Sequence, residues 1–440
     1  MVERRHGPCP EREERPACDG TDRVHPAPAL EVPERPDRQL LQAHDVRTVA
    51  GHELDHLAEK GAALGRRHVA VEEVPSPHEH GHGVAYEAVR VLLADPPAFT
   101  PPYDHELAAA LARAGAEVEL VTSRFRFGAA PEPDGYRRRE FFYPLSSRVF
   151  GRSRLRLPLK VAEHPLGLAA LRRLHADVLH MQWLPAPELD ARLFRPHLPS
   201  VLTAHDLLPR RTAHRTELWR GLYARFDRIV VHSQSGRETL VELGVEPDRL
   251  RVIAHPVFPS EPERRDDGRT VLAFGMIRPY KGLGDAIEAV RQAGDARLLV
   301  AGDPVEPVEP YRAAANGLEV EWRLGYLPRR EIDRAFGDAT VAVFPYRPEL
   351  DQSGALLRAL GAGVPAVAYD VGGIAEPVRR FDAGRVVPAG DVAGLAAAVH
   401  ELLSDHTALE RAREGARHAR EELTWDAAAE AHLAVYEEIT

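Results

Sequence analysis

The feature that most constrains this chain is a pattern that runs twice: a short apolar run, a turn, an amphipathic helix, then another apolar run. Val89–Ala94 is such a run. Tyr103–Ala114 then reads as a helix, with Leu107 and Leu111 at i, i+4 and Gly115 as its stop, and Val118–Thr122 is the next strand. Strands are also predicted at Asp177–His180, Ser200–Ala204 and Arg228–His232. After a polar break at Pro259–Arg269 the pattern resumes. It gives strands Thr270–Phe274, Arg297–Ala301, Glu319–Arg323, Val341–Phe344 and Pro365–Ala368, with helices Gly284–Gln292, Arg329–Phe336, Ser353–Leu360 and Val392–Leu403. Apolar runs without strict alternation suit strands buried on both faces, and βαβ alternation builds a parallel sheet covered by helices. The expected architecture is α/β, with two doubly wound Rossmann-like domains, 88–258 and 269–424, facing across a cleft. A C-terminal helix over 425–440 follows, with Ala429, Leu433 and Tyr436 as its apolar side.

Residues 1–87 break this pattern. They hold nine of the 22 histidines and nine of the 37 prolines with little apolar periodicity, so they read as a poorly ordered extension. His52-Glu53-Leu54-Asp55-His56 within them fits the zinc pattern H-E-x-x-H and resembles the metal motif of peptide deformylases. Cys9 lies in no matching context, so a chance match is the preferred reading and no metal site or cofactor is expected. Two cysteines exclude a disulfide framework. A formal charge of −10 argues against a nucleic-acid binder. No run approaches the ~18 apolar residues of a membrane span, and no apolar secretory segment opens the chain, so a cytoplasmic location is expected.

Two segments of the second half carry the sharper chemistry. Strand Thr270–Phe274 runs into Gly275-Met-Ile-Arg278-Pro-Tyr-Lys281-Gly282 and then a helix. A glycine admits close approach of a ligand, two cations share the loop, and a helix N-terminus adds positive potential, a combination suited to a diphosphate. Farther on, Ser353 is placed to cap a helix, and the amides of Ser353, Gly354 and Ala355 are donors for an anion or sugar hydroxyls. Gly372 and Gly373 follow the strand beginning at Pro365, with Glu376 nearby as an acceptor for hydroxyls. In the first half, His205-Asp206 follows a strand and projects toward the cleft, and Tyr103 lies in the proline-rich loop Asp95–His105 expected to line an acceptor pocket.

Gly275…Arg278-Pro-Tyr-Lys281-Gly282, Gln352-Ser353-Gly354, Gly363-Val-Pro365 and Gly372-Gly373…Glu376 occur together and in order. With Ala204-His205-Asp206 and Val231-His232-Ser233, they resemble the family 4 glycosyltransferases over roughly residues 89–440. The resemblance implies a GT-B fold whose C-terminal helix crosses back to the first domain, and metal-independent, retaining sugar transfer. The donor would be a nucleotide diphosphate sugar and the acceptor a hydroxyl of unknown identity. Lys281, Arg278 and His205 would be the catalytic set. Gly275, Ser353, Gly354, Ala355, Gly372, Gly373 and Glu376 would bind the donor, and Tyr103 and Asp206 the acceptor. The chain departs from the family's paired glutamates: Leu350 and Arg358 stand where they would fall, with Glu349 and Asp351 as neighbouring substitutes between which the sequence does not choose. Met276 stands in the usual arginine place, leaving Arg278 as its replacement.

Two other readings remain. A non-catalytic sugar-nucleotide binder follows from the missing glutamate pair, and a nucleotide-sugar epimerase would use the same fold. Between Arg148 and Arg173 lie Arg152, Arg154, Arg156, Lys160 and Arg172, interleaved with Leu155, Leu157 and Leu159. This stretch reads either as a solvated basic face or as a peripheral contact with an anionic membrane at the inner face.

Overall fold

A computed structural model describes residues 88–126, 128–148, 156–347 and 352–440. The readings made on 1–87, Arg152, Arg154, Leu155, Glu349, Leu350 and Asp351 lie outside them.

Two parallel sheets dominate. The first contains β1 (Arg90–Asp95), β2 (Glu117–Ser123), β3 (Arg137–Phe142), β4 (Val178–Met181), β5 (Ser200–Thr203), β6 (Arg228–Val231) and β7 (Leu250–Val252), in the order β3-β2-β1-β4-β5-β6-β7. The second contains β8 (Thr270–Phe274), β9 (Arg297–Gly302), β10 (Val320–Leu324), β11 (Val341–Phe344), β12 (Ala366–Tyr369) and β13 (Gly384–Val387), in the order β10-β9-β8-β11-β12-β13. Both are Rossmann-like and together make the GT-B arrangement. The reading of continuous apolar runs as doubly buried strands is visible in β1. Leu92 and Ala94 pack into one core and Val91 and Leu93 into another on the opposite face, all four nearly inaccessible. In the second sheet Ala366 and Ala368 of β12 face one core while Val367 and Tyr369 face the other.

In each sheet the strand order reverses beside the first strand, between β1 and β4 and between β8 and β11. Loops leaving opposite sides of such a point diverge and leave a crevice at the carboxyl ends. The loop after β8 is drawn against the loop after β11 at Gly282. Its φ is +67°, and a Cβ there would stand 1.9 Å from the Pro345 carbonyl oxygen. Only glycine meets both demands.

The helix Trp425–Glu437 packs on the first sheet. Trp425, Ala429 and Tyr436 share a core with Leu107, Leu111 and Val91. Its buried face is Trp425, Ala428, Ala429, His432, Val435 and Tyr436, so Leu433 sits at the rim rather than within the stripe. Three strands have no counterpart in the sequence reading: β3, β7 and β13. Each is an edge strand, with one neighbour instead of two.

The Gly282→Ala substitution is expected to lower the unfolding free energy by about 2 kcal/mol or more, because the new methyl meets a backbone oxygen in a left-handed conformation. Urea denaturation of the purified variant measures this, and an unchanged midpoint would contradict the close approach.

Candidate functional site

The carboxyl ends of the two sheets enclose a cavity of about 750 Å³. From the first sheet it takes Phe99 and Tyr103 after β1, Trp183 after β4, His205, Asp206 and Arg210 after β5, and His232 after β6. From the second it takes Met276, Arg278 and Tyr280 after β8, with Gln352, Gly354 and Arg358 at and within the helix Gly354–Gly361. Its lining carries three arginines against one carboxylate, Asp206, among the described residues. That imbalance favours an anionic ligand.

Arg278 and Lys281 both leave β8 but are used differently. Arg278 lines the cavity; its Nε is buried without a partner among the described residues, and its Nη2 lies 3.8 Å from Met276 Sδ. Lys281 lies in an adjoining recess of about 30 Å³ with Gly275 and Met276. Its ammonium donates to Tyr346 Oη at 2.6 Å and sits 4.3 Å from the centre of that ring. A Cβ on Gly275 would come within 3.3 Å of Lys281 Nζ, so the glycine leaves the ammonium room. Burial pulls the Lys281 ammonium down to about 8, and the Arg278 and Arg210 charges push the same way.

Ser353 does what its position suggested. Its hydroxyl accepts from Leu356 N at 3.3 Å, capping the helix Gly354–Gly361, and lies 3.2 Å from Tyr346 Oη. The amides of Gly354 and Ala355, in the first turn, have no acceptor within the helix, and Gly354 borders the large cavity. A lysine, a tyrosine, a serine cap and a helix start thus form one linked group.

Gly372, Gly373 and Glu376 are placed elsewhere. The Glu376 carboxylate accepts from Gln234 N at 3.1 Å and Ser235 N at 2.9 Å, at the start of the helix Gln234–Glu242 in the other half. In this arrangement its oxygens serve backbone amides rather than a sugar. A Cβ on Gly373 would lie 2.3 Å from Ser233 Cβ, so this glycine lets the two halves approach each other. Gln352 joins the same seam, donating to Gly373 O at 3.2 Å. A second cavity of about 430 Å³, bordered by Glu376, His232 and Arg380, lies beside it.

On the first-sheet side Tyr103 is buried, with its hydroxyl unpartnered among the described residues. His205, His255 and Trp425 surround its ring edge-to-face at 4.6, 5.0 and 5.1 Å. His205 stacks on Trp183 at 5.2 Å. Burial, reinforced by His232 and His255, holds the His205 imidazole well below its ordinary range, and burial puts His232 near 4. These rings are neutral at physiological pH. The loop before Tyr103 is tied down by Thr100, whose amide donates to buried Asp95 at 3.1 Å and whose hydroxyl accepts from Trp183 Nε1 at 2.8 Å. Asp104 is buried beside Asp95; burial first, then the Asp95 charge, raises it well above the carboxylate range.

Sequence reasoning overlooked Gln182, Trp183, Arg210 and His255. Arg210 reaches from the first half to the second, its guanidinium 3.6 Å from the centre of the Tyr280 ring. Arg358, noted only for replacing an expected glutamate, lies 4.2 Å over Phe258, and burial lowers its affinity for its proton. A residue following a parallel strand was the available signal for Gln182 and Trp183.

The comparisons now bear on this geometry. Residues 103–261 match the model described as Glycosyltransferase Family 4, and residues 268–405 the model described as Glycosyl transferases group 1. This chain belongs to the family 4 glycosyltransferases. It is 31% identical over 242 residues to a D-inositol 3-phosphate glycosyltransferase of Acidothermus cellulolyticus, covering 48% of this chain and 53% of that protein. It is also 31% identical over 175 residues to a 2-deoxystreptamine glucosyltransferase of Streptomyces kanamyceticus, covering 37% and 44%. The chain thus spans about half the length of the curated relatives it matches. Among solved structures, the sucrose-phosphate synthase of Thermosynechococcus elongatus aligns with a TM-score of 0.65 at 18% identity, covering 80% of this chain and 98% of that one. Anabaena HepE in complex with UDP-glucose aligns at 0.60 with 16% identity, covering 80% and 100%. Both show the GT-B fold.

The Lys281 environment sets a stability signature. Between about pH 8 and the ordinary lysine value of 10.5, the unfolded chain binds more protons than the folded one, so this site's contribution to stability rises with pH. Below about 8 the folded protein carries a buried, unneutralised charge. Lys281→Met is therefore expected to melt higher than the parent at pH 7, with the gap shrinking toward pH 10. Calorimetry at both pH values tests it, and equal melting temperatures at pH 7 would contradict it.

Proposed function

We propose that this protein transfers a sugar from a nucleotide diphosphate sugar to a hydroxyl acceptor, with retention of configuration. The observation that carries this reading is the convergence of Arg278, Lys281, Arg210, Arg358 and the helix start at Gly354 on the crevice where the carboxyl ends of both sheets meet. When the bond between anomeric carbon and phosphate oxygen breaks, negative charge grows on the departing diphosphate. Fixed cations and amides already oriented toward that oxygen stabilise the transition state without reorganising. Arg278 and Lys281 would take the diphosphate, and Ser353–Ala355 would assist through backbone donors. Lys281 at about 8 is mostly charged at neutral pH and gains further charge when a phosphate supplies the missing counter-ion. The acceptor would enter from the side of Tyr103, His205 and Asp206, where Trp183 and Phe99 give an apolar wall suited to a sugar face. Anabaena HepE, solved with UDP-glucose, supports a uridine donor as the first to try. Glu376 would meet sugar hydroxyls only on leaving the amides of Gln234 and Ser235.

Lys281→Ala and Arg278→Ala are each expected to lower kcat by about 100-fold or more while leaving the circular dichroism unchanged. Unchanged turnover at saturating donor in both variants would remove the mechanism. A parallel incubation without acceptor separates transfer from epimerisation, and calorimetric binding without any product would mark a non-catalytic binder.

The acceptor side also offers a lipid surface. Within the helix Arg156–Leu171, Leu157 is 71% exposed and Val161 46%, and Leu145 and Phe99 are each 53% exposed. Lys160 lies 4.6 Å from the Tyr143 ring centre and 5.8 Å from that of Phe99, which borders the cavity. Apolar side chains flanked by lysine and arginine suit an anionic bilayer, which would present a membrane-held acceptor to the cleft. Co-sedimentation with vesicles containing phosphatidylglycerol is expected, with loss in Leu157→Asp and little binding to pure phosphatidylcholine. Equal binding to both vesicle types would refute the electrostatic part.

A further inference from the structure

His205 is the visible end of a buried hydrogen-bonded chain that the transfer mechanism has not yet used. Its Nε2 lies 2.8 Å from Gln182 Oε1. The other end of the Gln182 carboxamide, Nε2, lies 3.1 Å from His180 Nε2, which is also 2.7 Å from Thr203 Oγ1. His180 Nδ1 is in turn 2.7 Å from Tyr436 Oη, delivered by the C-terminal helix. Gln182, His180, Thr203 and Tyr436 are all at most 1% exposed. The Gln182 backbone amide is fixed to Ala94 O at 2.8 Å, so this glutamine is held at the carboxyl end of the first sheet's central strands.

A carboxamide has one end that only accepts and one that only donates. With its oxygen toward His205, Gln182 requires a proton on His205 Nε2 and leaves Nδ1 as the ring's lone-pair acceptor. Among the described residues the ring's hydrogen bond is made through Nε2, and the ring lines the large cavity. The Trp183 face at 5.2 Å and the Tyr103 edge at 4.6 Å hold the ring plane, so the lone pair has a fixed direction. We infer that Gln182 is a positioning residue: it fixes the Nε2–H tautomer of His205, whose Nδ1 then accepts the hydrogen bond of the incoming acceptor hydroxyl and orients its oxygen. The inference rests on the placement of His205 on the acceptor side. His180, held by Thr203 and Tyr436, sets the direction of the chain by accepting from the Gln182 amide. A neutral imidazole is required, and the surrounding groups are His232, His255, His180 and His432, whose proximity and the burial of the ring keep it so.

The test is a long-range proton–nitrogen correlation spectrum of the ¹⁵N-labelled full-length protein, with the His205 signals assigned by their loss in His205→Ala. The expected pattern is a protonated Nε2 and a pyridine-like Nδ1. In Gln182→Met, of similar length but without the amide, the fixed pattern should give way to averaged signals. There kcat should fall about tenfold or more at an unchanged donor KM. A protonated Nδ1 in the parent protein overturns the proposal even if Gln182→Met does not fold. So does a Gln182→Met variant that keeps both the tautomer and kcat. Full turnover in His205→Ala would instead sink the acceptor-side reading of His205, while the spectrum of the resting protein still decides what Gln182 does.

Discussion

A parallel sheet buried on both faces can present polar groups only where its strands end. β1 shows the constraint in miniature: four successive apolar residues divide between two cores, and the first polar side chain, Asp95, arrives at the carboxyl end. The same holds for β8, which delivers Gly275, Arg278 and Lys281 once the last core residue has passed. The second sheet repeats the strand order of the first six strands of its partner, so two crevices of the same kind face each other. Among the described residues, the polar lining of the large cavity follows from that geometry. The contact of Gly282 with Pro345 sharpens it by drawing the cationic loop against the loop carrying Tyr346.

The cleft combines charges and neutral rings in separate halves. The second-sheet side collects cations, and burial makes the lysine among them reluctant to stay protonated until an anion arrives. The first-sheet side collects imidazoles that burial keeps neutral: His205, His232 and His255. The first environment suits a diphosphate and the second a hydroxyl. The division suits a reaction in which charge accumulates on one partner while the other needs only orientation.

Much of this is legible in the sequence. Interior strands declare themselves because burial on both faces demands an unbroken apolar run, and β1, β8, β11 and β12 were all visible on that ground. β3, with Arg137, Arg138, Arg139 and Glu140, was not, since an edge strand needs a hydrogen-bonding neighbour more than an apolar sequence. The loop with Arg278 and Lys281 was readable from its glycines and charges. Gln182 was not, because what matters about it is a contact with His205 made across 23 residues of sequence. Glu376 illustrates the opposite limit: its carboxylate suggested a ligand, but a helix start in the other half offers the same kind of donors as a sugar does.

That last contact also ties the two halves together. The carboxylate of Glu376 clasps the amides of Gln234 and Ser235, and the glycine three positions before it permits the halves to touch. Replacing Glu376 would loosen the seam between the lobes. A side chain that lines the second cavity is thus also a clasp between the halves, so the cavity's chemistry and the fit of the lobes change together.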